Sequence, residues 1–158
     1  MGKKKFRFKL QSVLELKVKM EDDEKKKLAD LIALQAREEQ VLQSLHYQRE
    51  QRIQEFKEKQ GAGGINVMEL QMYAYIIDKL KNDIINQQLR LKEIAIKVEE
   101  QRQNLIKATQ EKKIYEKLKE KQQEAWTAEE EFEEKKLIDE LSTIKFAREQ
   151  IESASAGE

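Results

Sequence analysis

The sequence contains no cysteine and no proline, and in 158 residues it has one histidine and five glycines, with aromatics at 6%. Each shortage excludes something. Without cysteine there is no disulfide framework, thiolate zinc site, iron–sulfur cluster or thiol nucleophile, an absence that suits a reducing compartment. His46, as the single histidine, excludes a two-histidine metal motif within one chain. No apolar run approaches the roughly 20 residues that span a bilayer. The start, MGKKKFRFKLQSVLEL, is basic, but its apolar positions alternate with charges, so no signal-peptide hydrophobic region is expected. Net charge is lacking too: 31 Lys+Arg stand against 31 Asp+Glu. That disfavours a strongly basic nucleic-acid binder.

What is present is charged and hydrophobic side chains in equal measure, each 39% of the residues. Such a chain cannot wrap itself around a compact core of ordinary size, yet its Leu, Ile and Val are too regular for disorder. Long amphipathic helices reconcile the two, burying one stripe and solvating the rest. The expected class is all-α: a long antiparallel two-helix coiled-coil hairpin with a C-terminal helical overhang, forming a single unit over residues 1–158.

Glycine punctuates the chain once, in Gln60-Gly61-Ala62-Gly63-Gly64. The stretches of about 6–59 and about 67–151 carry nothing that stops a helix. Asn66 is a good N-cap, Glu69 completes a capping box, and Ile65 with Leu70 forms a hydrophobic staple. The expected turn and cap residues are therefore Gly61, Gly63, Gly64, Asn66 and Glu69, in a turn over residues 60–65. The second helix has a clear heptad: Leu70, Ile77, Ile84, Leu91, Val98 and Leu105 recur every seventh residue. Their companions are Tyr73, Leu80, Gln87, Ile94, Gln101 and Ala108. The first helix is patchier. Leu10, Leu14, Leu28, Leu31, Leu42, Leu45 and Phe56 share its stripe with Lys17, Glu21, Glu24, Gln35, Glu38, Arg49 and Arg52.

Folding back with Phe56 facing Leu70 brings Leu10 opposite Glu116, so residues past about 120 are expected to lack an intramolecular partner. A change of register is expected near that point, to a stripe of Ile114, Leu118, Ala125 and Phe132 continued by Leu137, Leu141, Ile144 and Ile151. Charge is segregated as well: residues 1–20 hold seven basic groups, Lys3 among them, and one acid, while residues 124–140 hold eight acids and two lysines. The tail Ser153–Glu158 is expected to be disordered.

No nucleophile–base pair, metal set or cofactor motif is visible, so the chain is not expected to be an enzyme. His46 is expected to be solvated. The carboxylates of Glu129–Glu134 lie on an exposed helix without the glycine turn of a calcium loop, and GAGG lacks the Lys-Ser/Thr of a phosphate loop. The basic start, with Phe6 and Phe8, is a candidate for phosphates or anionic lipid, set against solvated terminal lysines. Trp126, in the expected overhang, is a candidate partner contact. Gln40, Tyr47, Tyr73, Tyr75 and Ile76 form a mixed aromatic and polar set near the turn, with Tyr75 and Ile76 pointing away from the seam.

Three separated blocks resemble the flagellar export protein FliJ family. The opening FRFKLQSVLELKVKMEDDEKKKLA (Phe6 to Ala29) has the F-x-F-x-L-x-x-V-L-x-L pattern. The centre GAGGINVMELQMYAYIIDKL (Gly61 to Leu80) is similar to the family's turn, cap and E-L-x-x-Y segment. The end EKLKEKQQEAWTAEEEFEEKKLIDELSTIKFAR (Glu116 to Arg148) resembles its closing segment. The resemblance implies a cytoplasmic component of the flagellar type III export apparatus, peripherally associated with the inner membrane through its partners. It would be a stalk-like coiled coil whose termini insert into the export ATPase hexamer. Its other part would dock on the cytoplasmic domain of the transmembrane export gate, and empty export chaperones would be escorted. Carried over by position, gate contacts fall at Gln40, Tyr47, Tyr73, Ile76 and Leu80, while Ser44 and Gln51 stand where an apolar and an aromatic residue are expected. Phe8, Leu10, Trp126 and Phe132 are the candidates for the ATPase, chosen by character at the termini. The alternatives are the equivalent stalk of a virulence secretion system and a self-associating structural coiled coil.

Overall fold

The computed structural model describes residues 4–157; Lys3 and Glu158, counted above, lie outside them. Two helices account for nearly all of these residues, α1 over Gln11–Gly61 and α2 over Val67–Ser155. With no proline and no internal glycine, neither helix has cause to break. Between them, Ala62 donates to the Glu58 carbonyl (3.1 Å) and Gly63 takes φ +89°. That left-handed value is the one position of the turn that demands glycine, since a side chain at Gly61 or Gly64 would meet nothing. The Glu69 amide donates to Asn66 Oδ1 at 2.8 Å, which establishes the expected N-cap.

Two ends differ from expectation. The first helix begins at Gln11, not near Phe6, because residues 4–8 are non-helical, with Gln11 donating to the Phe8 carbonyl. The second continues to Ser155, so Ser153–Ser155 are helical where disorder was expected. There Ser153 and Ser155 each donate a hydroxyl to a carbonyl three residues back, both at 3.0 Å.

Contacts gather the chain into two compact units. One is Lys19–Thr109, which contains the turn; the other joins the residues through Val18 with those from Gln110 onward. Within each unit α1 and α2 pack antiparallel.

In the turn unit, Tyr73, Ile84, Ile94 and Val98 are buried, while Ile77, Leu91 and Leu105 are half-buried beside Leu28, Leu31, Leu42 and Leu45 of α1. The heptad read from the sequence is thus the seam, except at its first member. Leu70 is exposed, and Phe56 packs on Tyr73 instead (centroids 5.9 Å apart), three residues further along α2. Two helices cannot enclose a core, and among the described residues no large side chain is completely buried. Polar residues fill the remaining seam positions; Arg49 Nε is buried there without a hydrogen-bond partner, whereas others are satisfied. Gln101, 8% exposed, donates its amide to both the backbone carbonyl (3.2 Å) and the carboxylate of Glu24. Gln87 does the same to Glu38, at 2.9 and 2.6 Å, and Arg90 adds a 3.1 Å ion pair to that carboxylate. The buried Glu21 pairs with Lys25 at 2.8 Å.

In the terminal unit the seam does not change register where the sequence suggested. Ile114, Ala125 and Phe132 of the expected new stripe are exposed, whereas Leu118 is half-buried. The old heptad carries on through Lys112, Lys119 and Trp126, all half-buried. Lysines hold these places because their stems cover apolar surface while the ammonium reaches outward. Lys119 Nζ donates to Gln11 Oε1 at 2.9 Å. Pairing also reaches further than residue 120, since Phe6 packs on Trp126 with centroids 6.1 Å apart. Residues 4–8 are not helical, and through Phe6 they meet α2 as far along as Trp126.

Truncation within the seam should therefore be costly and truncation of the rejected stripe should not. Ile94→Ala is expected to lose about 2–3 kcal/mol in denaturant unfolding followed by circular dichroism. Ile114→Ala should stay within about 0.5 kcal/mol. Gly63→Ala should cost about 1 kcal/mol while Gly61→Ala is neutral or slightly stabilising.

Candidate functional site

Two surfaces come from the sequence, one in each unit. In the turn unit the fold separates the aromatic set into braces and exposed groups. Tyr73 is 5% exposed, its ring held between Phe56 and the Lys59 ammonium 5.2 Å from its centroid. A hydrogen bond and charge from Tyr73 hold the Lys59 ammonium above its usual value of 10.5. Burial opposes this slightly, and Glu69 and Glu55 assist. This contact is complete below the ordinary lysine range and is lost as pH rises through the raised value. Tyr73 therefore braces the turn and presents no ring to a partner. Ile76 and Leu80 are half-buried, and Gln40 and Tyr47 are exposed. Tyr75 points away from the seam as expected, whereas Ile76, expected to do likewise, is partly covered.

The sequence reading passed over the outer face of the first turns of α2, where Met68 and Met72 are exposed beside Tyr75. Their spacing of four and three residues was the available signal. His46 is exposed, and no group of acidic or histidine side chains among the described residues is arranged to hold a metal ion.

In the terminal unit the N-terminal segment alternates: Lys5, Arg7 and Lys9 are exposed while Phe6 is half-buried and Phe8 is 7% exposed. Alternation in an extended segment turns the phenylalanines onto α2 and the basic groups to solvent. Phe6, Arg7, Phe8, Gln11 and Lys119 line a shallow groove, and Lys17 pairs with Glu111 at 3.0 Å. Of the four residues proposed at this end, Phe8 is spent on packing and Trp126 is covered by Phe6. Leu10 is exposed, at 37%. Phe132, at 65%, is open to solvent. Trp126 is thus the last residue of the seam and not part of an overhang, because the extended N-terminal segment reaches it.

The overhang proper begins at residue 131, and every described residue from there on is exposed. It carries Phe132, Leu137, Ile138, Leu141, Ile144, Phe146 and Ile151 into solvent. Phe132, Lys135, Lys136, Asp139, Glu140, Thr143 and Ile144 line an open groove on it. The arrangement offers no chemistry of bond making. It offers helix faces: a solvated acidic one with an aliphatic stripe, and the exposed groups near the turn. Among the described residues no helix is long and apolar enough to cross a membrane.

The family model described as Flagellar FliJ protein matches residues 6–150, which covers α1, the turn and α2 as far as residue 150. No curated protein and no solved structure is significantly similar to the chain.

The N-terminal segment depends on one aromatic pair, and that dependence is measurable. Trp126→Ala should release it, raising the rate of tryptic cleavage after Arg7 and Lys9 several-fold and lowering stability by about 1–2 kcal/mol. Phe132→Ala, which alters only an exposed ring, should change neither.

Proposed function

The chain belongs to the Flagellar FliJ protein family and is a component of the flagellar export apparatus; from that premise we propose that it is the non-enzymatic stalk of that apparatus. On this reading it couples the hexameric export ATPase to the cytoplasmic domain of the export gate and escorts empty export chaperones. It works in the cytoplasm and reaches the inner membrane through its partners. The observation that best supports the reading is the overhang. α2 outruns its partner helix and leaves residues 131–157 exposed all round, with four large aliphatics on one side. A helix without a partner inside the chain gains stability by entering one outside it. Phe132 and the stripe that follows are the residues proposed to meet the ATPase, with Leu10 at the margin, while Phe8 and Trp126 position the segment beside them.

For the gate, the surface proposed is Gln40 and Tyr47 on α1 with Ile76 and Leu80 on α2, and Tyr73 holds these elements in place from beneath. Exposed Tyr47 is the strongest anchor of this set, since tyrosine supplies apolar area and a hydrogen bond for little entropy.

Two measurements test the assignment. Added to the cognate export ATPase, the full chain should stimulate ATP hydrolysis while showing none alone; no stimulation and no capture of the ATPase or of the gate domain would refute the stalk reading. Tyr47→Ala should weaken binding to the gate's soluble domain about tenfold or more and leave ATPase stimulation intact.

A further inference from the structure

One charged side chain in the seam of the turn unit is left over. Glu21 pairs with Lys25, Glu24 and Glu38 receive Gln101 and Gln87, and Arg52 Nη1 meets Glu55 Oε1 at 2.5 Å. Arg49, three residues before Arg52, has no ion pair or hydrogen bond among the described residues, and its Nε is buried. The residue as a whole is only half-buried, so the rest of its side chain is reachable from solvent.

The surroundings explain the gap. Residues three and four apart on a helix are neighbours, and for Arg49 these are Leu45, His46, Arg52 and Ile53, none of them acidic. Counting eleven residues from the Gln87–Glu38 clasp, from 38 to 49 on α1 and from 87 back to 76 on α2, sets Arg49 level with Ile76. The nearest acids of α2, Asp78 and Asp83, do not pair with it. Its heptad series runs Leu28, Gln35, Leu42, Arg49 and Phe56, so stability alone would put an apolar side chain here. The arginine stem covers apolar surface, but a buried donor without an acceptor is costly. Nor does Arg49 fix register as the clasps do, because it engages nothing polar on α2.

We propose that Arg49 anchors a single carboxylate of the export gate's cytoplasmic domain, received at the edge of the seam beside Ile76. This rests on the gate reading above and adds what that surface lacks. Gln40, Tyr47, Ile76 and Leu80 are all uncharged, and uncharged contacts discriminate poorly between partners of similar shape. Arg49 is level with Ile76 and one helical turn from the level of Leu80. A carboxylate suits the site better than a phosphate group does. The charge of Arg52 is already met by Glu55, which leaves one guanidinium for one monoanion, whereas a phosphate carries nearly two negative charges. Partial burial strengthens such a pair. It also penalises a partner that brings no anion, since that partner would enclose the guanidinium further without satisfying it.

Stability and binding should move in opposite directions, which separates a docking role from a structural one. Arg49→Leu restores the apolar series and should raise the thermal midpoint of the full chain by about 2–4 °C. The same variant should bind the gate's soluble domain at least about tenfold more weakly. Arg49→Lys, which keeps the charge but loses the two-pronged fork, should fall between wild type and Arg49→Leu in affinity. Stimulation of the ATPase should be unaltered in both. Wild-type affinity in Arg49→Leu overturns the inference and leaves the gate reading standing, whereas no gate binding by the unaltered chain overturns both. A midpoint that falls in Arg49→Leu means that the hairpin already satisfies the arginine, and overturns the inference as well.

Discussion

Two Gln–Glu clasps fix how this hairpin is paired. Gln101 on Glu24 and Gln87 on Glu38 are the same contact made twice. They are separated by two heptads on each helix, and in both the glutamine amide bridges the glutamate's carboxylate and its backbone carbonyl. A two-helix seam built from aliphatics alone tolerates slippage by a heptad at small cost, since one leucine replaces another. Here a slip of one heptad would bring Glu24 against Ile94 or Ala108, and Glu38 against Leu80 or Ile94. A carboxylate facing aliphatics without its donor is far more costly than a methyl group misplaced. Register is set by the penalty for error more than by the strength of either contact, which is how polar seam residues act in coiled coils generally.

The same economy governs the residues nearest the termini. Lys112 and Lys119 occupy seam positions, and apolar cover there is thin. The chain compensates with an extended segment, not more helix, and sets Phe6 on Trp126 and buries Phe8. The alternation of burial along residues 5–9 keeps phenylalanine inward and the basic groups outward. Two aromatic side chains thereby close the seam, and the basic groups that precede α1 become a solvated display.

Much of this was legible in the sequence. Glycine content located the turn, Asn66 and Glu69 located the restart of α2, and the heptad from Ile77 to Leu105 named the seam with Leu70 as its one error. That error came from pairing by count: Phe56 was set opposite the first apolar position of α2, whereas two aromatic rings find each other a turn later. The larger misreadings share one cause. Apolar periodicity locates a seam only while aliphatics occupy it, and where Lys112 and Lys119 fill those positions it points to Ile114 and Phe132, which face solvent. Nor does a helical period apply to the non-helical residues 4–8, so the partner that Phe6 gives Trp126 is not visible in it. The surface residues were the least legible. Tyr73 is withdrawn from solvent because Phe56 and Lys59 of the other helix pack on its ring, a matter of register finer than a heptad, whereas Tyr47 stays exposed.

After Trp126 the apolar stripe of α2 steps one residue out of phase with the seam. A helix whose apolar stripe stays in phase can be covered by extending its partner, and selection for stability would favour that extension. A stripe turned by about 100° is protected from it: no lengthening of α1 along the seam reaches Leu137, Leu141, Ile144 or Ile151. The overhang stays unfilled within the chain for a geometric reason, while the seam behind it stays committed. The balanced charge fits the same division. The acids that dominate residues 124–140 keep an exposed aliphatic helix in solution, and the excess of lysine and arginine at the opposite end of the sequence cancels them in the total without neutralising them where they stand. Zero net charge is thus compatible with a helix end that is strongly anionic along its flank and aliphatic along one stripe. A surface of that kind discriminates by requiring both a groove for the stripe and positive charge beside it.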